Sequence, residues 1–313
     1  MADASRQRQR DVAVLGGAET EIVPEDLRSI PEMVLEAVAG ALDDAAVQWE
    51  DVDAIVTASV DLFDGLTASS IAVTEVVGAV LKPETRIAAD GMAAAIHAVH
   101  QIAAGAYGTV LVVAHGKASM APHWDLTEWA MDPVYLQPLG VDFLTVAGLQ
   151  ANLIADSNRV GRCASLGDGA CAVVLSSSVP SGAVVITGTG HDLDAHYPGD
   201  RDLSTWSGLQ RAAGRAYEQA GVRDPATAFA VAEPSCMFPH EEGLFVEATA
   251  IGKNTPLSPS GGLMEGTAPI VSGLTRLLAA ARAIEGNPGR RALAHGAWGP
   301  AGQGHAVAIV EAT

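Results

Sequence analysis

The sequence is poor in cysteine, in aromatic residues and in basic residues. It holds three cysteines among 313 residues and no Cys-x-x-Cys pair, which excludes a disulfide scaffold and a structural zinc site. Eighteen Lys and Arg face 37 Asp and Glu, so the formal net charge is −19, and no basic run is present that could hold a nucleic-acid backbone. The hydrophobic fraction of 49% excludes intrinsic disorder. We therefore predict a packed protein without a metal site and without a nucleic-acid partner.

No targeting segment and no membrane span is predicted. Residues 1–10, MADASRQRQR, are polar and lack the apolar stretch of a secretory signal, so they predict a disordered tail. Residues 92–114 hold no Asp, Glu, Lys or Arg. Their histidines, glycines and Gln101 nevertheless favour a buried helix followed by a buried strand over a membrane span. The low cysteine content fits a cytoplasmic location with reduced thiols.

Strand and helix signals occur twice in the same order along the chain. This repeat divides the sequence into an N-terminal half at 11–180 and a C-terminal half at 181–313. Alternating strands and helices favour buried sheets with many parallel strands. The Ala-rich helices predicted at 92–104 and 269–284 carry little charge, as expected of central helices without a wet face. We predict a duplicated α/β fold in which two mixed sheets sandwich these buried helices in αβαβα layers.

The remaining helices are predicted at 29–46, 67–81, 206–220 and 240–251. Ser29 is a good N-cap for the first of them because its hydroxyl can accept a hydrogen bond from the first helical turn. The segment 120–160 is rich in proline and in aromatic residues, and we predict it to be an irregular, shortened loop.

Five sequence segments carry a resemblance to a known family. They are AADG at 88–91, DGACAVVL at 168–175, EPSCMFPHEE at 233–242, SPSGGLMEGTAPIVSG at 258–273 and AHGAWGPAGQGHA at 294–306. Their order and spacing resemble the thiolase superfamily, in particular its SCP2-thiolase-like, acetyl-CoA acetyltransferase-like branch. The resemblance implies a thiolase-like fold, acyl-CoA as the substrate carrier, no further cofactor, and chemistry that forms or breaks a carbon–carbon bond.

The chain departs from the family at its reactive positions. The resemblance puts Ala88 at the position of the nucleophilic cysteine, with Ala89 as the alternative if the match slips by one residue. Thr267 stands where the family has the histidine of its Gly-His-Pro motif, and Pro234 replaces a second histidine. Because alanine cannot form an acyl-enzyme, the resemblance implies that cysteine-dependent chemistry is lost.

Four residues remain as candidates for catalysis. His295 follows an apolar strand, precedes a glycine-rich loop and matches a catalytic position of the family. Asp90 is either an acid–base group or, as we favour, the N-cap of the following helix. His240 and Glu241 stand at a helix start, as an acid–base pair or, for Glu241, as a partner of the helix dipole. Cys236 is more consistent with a structural cysteine than with a displaced nucleophile.

The resemblance also implies a binding surface for the substrate and coenzyme A. Its residues in this chain are Asn254, Gly261, Gly262 and Gly296, the first three in the loop that forms the active-site floor of the family. The alternative for Gly261 and Gly262 is that they only permit close packing of the backbone.

Two functions follow from these expectations. We favour a non-catalytic or regulatory thiolase-like subunit that pairs with an active paralogue in an acyl-CoA or acyl-carrier complex. The alternative is a cysteine-independent aldolase or acyltransferase that acts on an acyl thioester with an OB-fold partner of the DUF35 type. In both cases the resemblance implies a homodimer or heterodimer.

Overall fold

The computed structural model describes residues 11–66, 68–121, 123–154, 163–264 and 266–313. The tail predicted at 1–10 lies outside the described residues, as does the end of the predicted loop segment, 155–160. Among the described helices, none has both the length and the apolar character that a membrane crossing requires.

The described strands form one mixed sheet in the order β3-β2-β4-β5-β1-β6-β9-β8-β7. In chain order they are β1 (Val12–Glu19), β2 (Ala54–Ala58), β3 (Glu84–Ile87), β4 (Thr109–Lys117), β5 (Asp168–Ser176), β6 (Val184–Leu193), β7 (Val231–Glu233), β8 (Arg291–Trp298) and β9 (Gly304–Ala312). β2 runs parallel to β3 and β4, and β7 runs parallel to β8. The other pairings are antiparallel.

Some of the described helices lie in the central core and others cover the outer faces of the sheet. They are α1 (Ile30–Asp44), α2 (Ser69–Val73), α3 (Gly91–Ala103), α4 (His123–Trp129), α5 (Phe143–Leu153), α6 (Ser207–Ala220), α7 (Pro225–Ala228), α8 (Glu241–Thr249) and α9 (Ser272–Ile284).

The layer order predicted from the sequence is confirmed. α3 and α9 pack against each other inside one apolar core that draws on the strands of both halves. α1 covers the outer face of the N-terminal strands, and α6 and α8 cover that of the C-terminal strands. Nine of the thirteen residues of α3 are buried, which explains why this helix is built from alanine and other small apolar residues.

The two predicted sheets are the two ends of one continuous sheet. β1 pairs with β5 on one side and, over Val12–Val14, with β6 on the other. This short antiparallel contact joins the halves, because β1 and β6 are adjacent in the middle of the strand order. The predicted mixed α/β class with sheets around buried helices is confirmed, and the structure adds that one short contact links the sheets.

Three further details differ from the expectations. Of the helix predicted at 67–81, only Ser69–Val73 is helical among the described residues, and turns follow up to Gly78, which adopts a φ of 70°. The segment 120–160 contains α4 and α5 rather than an irregular loop. β3 is a short edge strand that the sequence pattern did not indicate, because its residues are partly exposed and mostly polar.

Candidate active site

A cavity of about 110 Å³ lies where the two halves meet. The starts of α8 and α9 and the loops after β7 and β8 contribute to its wall. Four aromatic side chains are part of its apolar lining, namely Phe63, Phe143, Phe238 and Trp298. Its polar lining comes from Thr127, Ser235, Glu241, Thr267 and Ser272. An apolar cavity with a few convergent polar groups is the usual form of a small-molecule site.

Asp90 is buried beside this cavity and joins α3 to α9. Its Oδ1 accepts a hydrogen bond from the backbone N–H of Met92 at 2.9 Å, so Asp90 caps α3 as the sequence indicated. Its Oδ2 accepts from the N–H of Gly273 at 3.0 Å and from the hydroxyl of Ser272 at 2.9 Å. Burial raises the pKa of Asp90 to about 6 even though these hydrogen bonds favour the charged form.

Two glycines make room for the Asp90 carboxylate. A Cβ on Gly273 would lie 1.8 Å from Asp90 Oδ1, and a Cβ on Gly296 would lie 2.1 Å from the same oxygen. Gly296, predicted to bind substrate or coenzyme A, is buried in β8 and is not one of the residues that line the cavity. Its contact in this structure is with Asp90.

His295 does not line the cavity itself, but it contacts Ser235, which does. It is fully buried, and its Nδ1 accepts a hydrogen bond from the backbone N–H of Ser235 at 3.3 Å. Its Nε2 lies 3.1 Å from Nδ1 of His305. Because an N–H group can only donate, Nδ1 of His295 carries no proton, and Nε2 donates to His305. Burial lowers the pKa of both imidazoles, that of His305 to about 3, so both rings are neutral at physiological pH.

Glu241 lines the cavity directly. It is the first residue of α8, and its Oε2 accepts hydrogen bonds from the backbone N–H groups of Met237 at 2.7 Å and Phe238 at 3.2 Å. Burial raises the pKa of Glu241 to about 7, and these hydrogen bonds oppose the rise. Among the described lining residues it is the only one with an ionisable side chain.

His240 is next to Glu241 in the chain, but it is not one of the residues that line the cavity. Its Nε2 lies 3.1 Å from Oε1 of Gln150 on α5, and its ring stacks on Phe238. The structure therefore does not bring His240 and Glu241 together on one surface of the cavity.

The two positions at which the sequence resemblance places reactive residues of the family differ in their surroundings. Thr267 lines the cavity, whereas Ala88 is exposed between β3 and α3 and is not among the lining residues. Gly262 lies in an open cleft of about 480 Å³ that shares Thr267 and Ser272 with the cavity wall. Asn254 and Gly261 are exposed and line neither space.

The loop after β8 closes the cavity and is held from three sides. The backbone carbonyl of Ala301 accepts hydrogen bonds from Gln150 at 3.4 Å, Arg201 at 3.3 Å and Trp206 at 3.2 Å. Ala301 adopts a φ of 50°, a left-handed conformation that is unusual for a residue with a side chain. Three donors on one oxygen therefore fix an otherwise unfavourable turn.

Within the described residues, no group of three or more His, Cys, Asp or Glu side chains could hold a metal ion. None of Cys163, Cys171 and Cys236 lines the cavity, and burial raises the pKa of the Cys171 and Cys236 thiols well above the ordinary value. A buried, protonated thiol is a poor nucleophile.

Two cavity residues were missed at the sequence level, Ser235 and Ser272. Ser235 follows the end of β7, and Ser272 is the first residue of α9. Ligands of α/β proteins bind beyond the carboxyl ends of strands and at helix starts, so position alone could have drawn attention to both hydroxyls.

No protein-family model matches this sequence, and no curated protein matches it. Two solved structures are similar to it in fold. A chain of the Ltp2-ChsH2(DUF35) aldolase superposes with a TM-score of 0.76 at 16% identity, over 97% of this chain and 98% of that one. The monomeric SCP2-thiolase-like protein type 1 from Mycobacterium smegmatis superposes with a TM-score of 0.69 at 17% identity, over 97% of this chain and 77% of that one. The chain therefore has a thiolase-like fold, as its sequence motifs indicated.

Proposed function

We propose that this chain breaks or forms a carbon–carbon bond in an acyl thioester by acid–base catalysis, without a cysteine acyl-enzyme. The observation that carries the proposal is Glu241, a single carboxyl group on the wall of a largely apolar cavity. The thiolase-like fold and the similarity to the Ltp2-ChsH2(DUF35) aldolase support the same class of substrate. Similarity of fold alone would not suffice, since one fold hosts many functions.

Glu241 has the properties of a general acid–base group. A carboxyl whose pKa is about 7 is present in both protonation states at neutral pH, which suits proton transfer in either direction. Both of its hydrogen bonds to the described chain fall on Oε2. Its Oε1 is thus the oxygen available to a bound molecule.

The reaction that best fits these groups is the retro-aldol cleavage of a 3-hydroxyacyl thioester. That reaction needs a base for the hydroxyl proton and an acid for the enolate carbon, and it needs no covalent intermediate. The cavity volume of about 110 Å³ is smaller than the roughly 150 Å³ of an engineered cavity that holds benzene. The group bound there is therefore a short apolar arm of the acyl chain, with the coenzyme A or carrier portion outside the cavity.

The test is direct. The purified chain is incubated with 3-hydroxy-3-methylbutyryl-CoA and with its longer-chain homologues, and mass spectrometry follows the release of acetyl-CoA and a ketone. Glu241→Gln keeps the acceptor for the two N–H groups but cannot supply a proton, so we expect turnover to fall at least 100-fold. Cys236→Ala is the matched control from the same loop and should keep wild-type turnover. Full activity of Glu241→Gln would refute the assigned role of Glu241.

A non-catalytic subunit is the second candidate, and specific observations favour it. Ala88 is exposed and His295 does not line the cavity, so two positions that are catalytic in the family cannot act in the same way here. Among the described strands β3 is an outermost one, and its outer edge could pair with a second thiolase-like chain. Exposed apolar side chains are also frequent along the chain from the end of α4 to the end of α5, at Trp129, Val134, Tyr135, Leu139 and Leu153.

The partner experiment separates the two candidates. The chain is co-expressed with a thiolase-like paralogue or a DUF35-type OB-fold protein, purified by a tag on this chain alone, and weighed by native mass spectrometry. A non-catalytic subunit predicts a stable heteromer and no turnover by this chain alone. Turnover by the purified chain without a thiolase-like partner would exclude that candidate.

A further inference from the structure

Two serine hydroxyls connect the buried Asp90 carboxylate to the cavity. Ser272 Oγ lies 2.9 Å from Asp90 Oδ2, and Ser235 Oγ lies 2.9 Å from Ser272 Oγ. Both serines line the cavity, and both are buried. The chain of hydrogen bonds therefore runs from the cavity wall to a charged group that has no direct contact with the cavity.

The direction of this chain follows from donor and acceptor chemistry. A carboxylate can only accept, so Ser272 donates its single proton to Asp90. The Ser272 oxygen then accepts the proton of Ser235, which has no second proton to give. Ser235 Oγ consequently presents its remaining lone pair as an acceptor, and a hydroxyl group bound in the cavity is the natural donor to it.

The structure fixes each member of the chain. The N–H groups of Met92 and Gly273 hold the two oxygens of Asp90 at the starts of α3 and α9, where both helix dipoles favour a negative charge. His295 accepts the backbone N–H of Ser235 and so holds the residue that reaches the cavity. The titratable side chains on neighbouring elements are Glu241 of α8, the neutral His295 and His305, and Arg276 of α9, which is paired with Glu233.

We propose that Ser235, Ser272 and Asp90 form a proton relay that removes the hydroxyl proton of the substrate. The inference rests on the proposed function, with its 3-hydroxyacyl thioester substrate, and adds the route by which the substrate hydroxyl loses its proton. Ser235 is the catalytic residue, because it touches the substrate hydroxyl. Ser272 and Asp90 act through it, and His295 is a positioning residue.

The step balances as follows. The hydroxyl proton of the substrate passes to Ser235 Oγ, the Ser235 proton to Ser272 Oγ, and the Ser272 proton to Asp90 Oδ2. The electron pair of the O–H bond forms the new carbonyl, the C2–C3 bond breaks, and its electrons form the enolate of the shortened thioester. Protonated Glu241 then gives its proton to C2. Exchange with water returns the proton from Asp90 to solvent and restores the acid form of Glu241.

The relay makes Asp90 suited to this task. With a pKa of about 6 it is charged at neutral pH, yet it has a higher proton affinity than an ordinary aspartate. The activity of the wild type is therefore expected to fall as the pH drops through about 6, because a protonated Asp90 cannot receive the relayed proton.

Kinetics on 3-hydroxy-3-methylbutyryl-CoA test the relay. We expect Ser235→Ala to lower kcat/KM at least 100-fold and Ser235→Thr to restore at least a tenth of the wild-type value. Ser272→Ala should lose most of the activity, and the activity that remains should no longer fall as the pH drops through about 6. Ser207→Ala is the matched control, since Ser207 donates to Asp194 at 2.8 Å in the same way but lies outside the cavity. Wild-type kcat/KM and an unchanged pH profile in Ser235→Ala would overturn the relay and leave the proposed function standing.

Infrared titration of the protein with ¹³C-labelled aspartate gives a readout that needs no turnover. Asp90→Asn identifies the carboxyl band, and we expect its midpoint near pH 6 to rise in Ser272→Ala and, by less, in Ser235→Ala. A midpoint in Ser235→Ala equal to that of the wild type would overturn the relay, because the series of coupled hydrogen bonds would then end at Ser272. A wild type that converts none of the thioesters, but shows both shifts, would refute the proposed function and leave the hydrogen-bonded relay intact.

Discussion

Replacement of Glu241 by glutamine should stabilise the protein at alkaline pH. The carboxyl has a pKa of about 7 in the folded chain against an ordinary value of 4.5. Because the folded pKa is raised, the folded state holds the proton more tightly than the unfolded state between these two values. The contribution of protonated Glu241 to the free energy of unfolding is fully present below pH 4.5 and is lost as the pH rises through 7.

The size of the effect follows from the same two values. One pKa unit corresponds to about 1.4 kcal/mol, so the charged Glu241 side chain costs on the order of 3 kcal/mol of folding free energy well above pH 7. Glutamine has the same shape, keeps an oxygen for the N–H groups of Met237 and Phe238, and carries no charge at any pH. We expect Glu241→Gln to be more stable than the wild type by about 3 kcal/mol at pH 8.5 and by less than about 1 kcal/mol at pH 5.

Urea denaturation of both proteins at the two pH values measures this difference. Contributions from Asp90 and other groups are common to both chains and cancel. Glu242→Gln, which removes a charge from the next position outside the cavity, controls for general charge effects. An equal stability difference at pH 5 and pH 8.5 would contradict the burial of a charged Glu241, and so would the same gain in Glu242→Gln.

Three further predictions concern the surroundings of the site. Gly296→Ala should lower the free energy of unfolding by about 2 kcal/mol or more, since its Cβ would collide with Asp90. Gly199→Ala is the control: its Cβ meets nothing within 4 Å, so the free energy of unfolding should change by less than about 0.5 kcal/mol. Thermal unfolding measures both. Glu233→Gln breaks a buried pair with Arg276, and chemical denaturation should show a loss of about 3 kcal/mol. Incubation of the native protein with a thiol-specific maleimide should leave Cys236 unmodified, because the thiol is buried and protonated. Rapid formation of a maleimide adduct on Cys236, detected by mass spectrometry, would contradict this.

The elements that the sequence predicted well are those whose signals are local. Ser29 and Glu32 form a capping box at the start of α1, and Asp90 caps α3, so both helix starts could be predicted from a few adjacent residues. β3 was missed because a four-residue, half-exposed strand has no hydrophobic pattern. α4 and α5 were missed because the segment holds Pro122, Pro133 and Pro138, and proline is typical of turns.

The candidate site also depends on contacts between residues that are far apart in the sequence, which local signals do not predict. Asp90 could be selected from the sequence because it stands at a helix start, but its hydrogen-bond partner Ser272 is 182 positions away. Neither Ser235 nor Ser272 is ionisable, so composition and charge give no reason to select them. His295 was selected from its position in a motif, and the structure shows that its contact with the cavity is made through Ser235.

The central position of β1 has a consequence for synthesis of the protein. Its partners β5 and β6 lie far along the chain, and the contact of Thr20 with Ala170 spans 150 positions. At roughly 5–20 residues per second, a ribosome needs on the order of ten seconds or more to deliver those partners. Until then an apolar strand destined for the middle of the sheet has both edges open. The nascent chain, rather than the finished fold, is therefore where this protein is most exposed to aggregation and most in need of a chaperone.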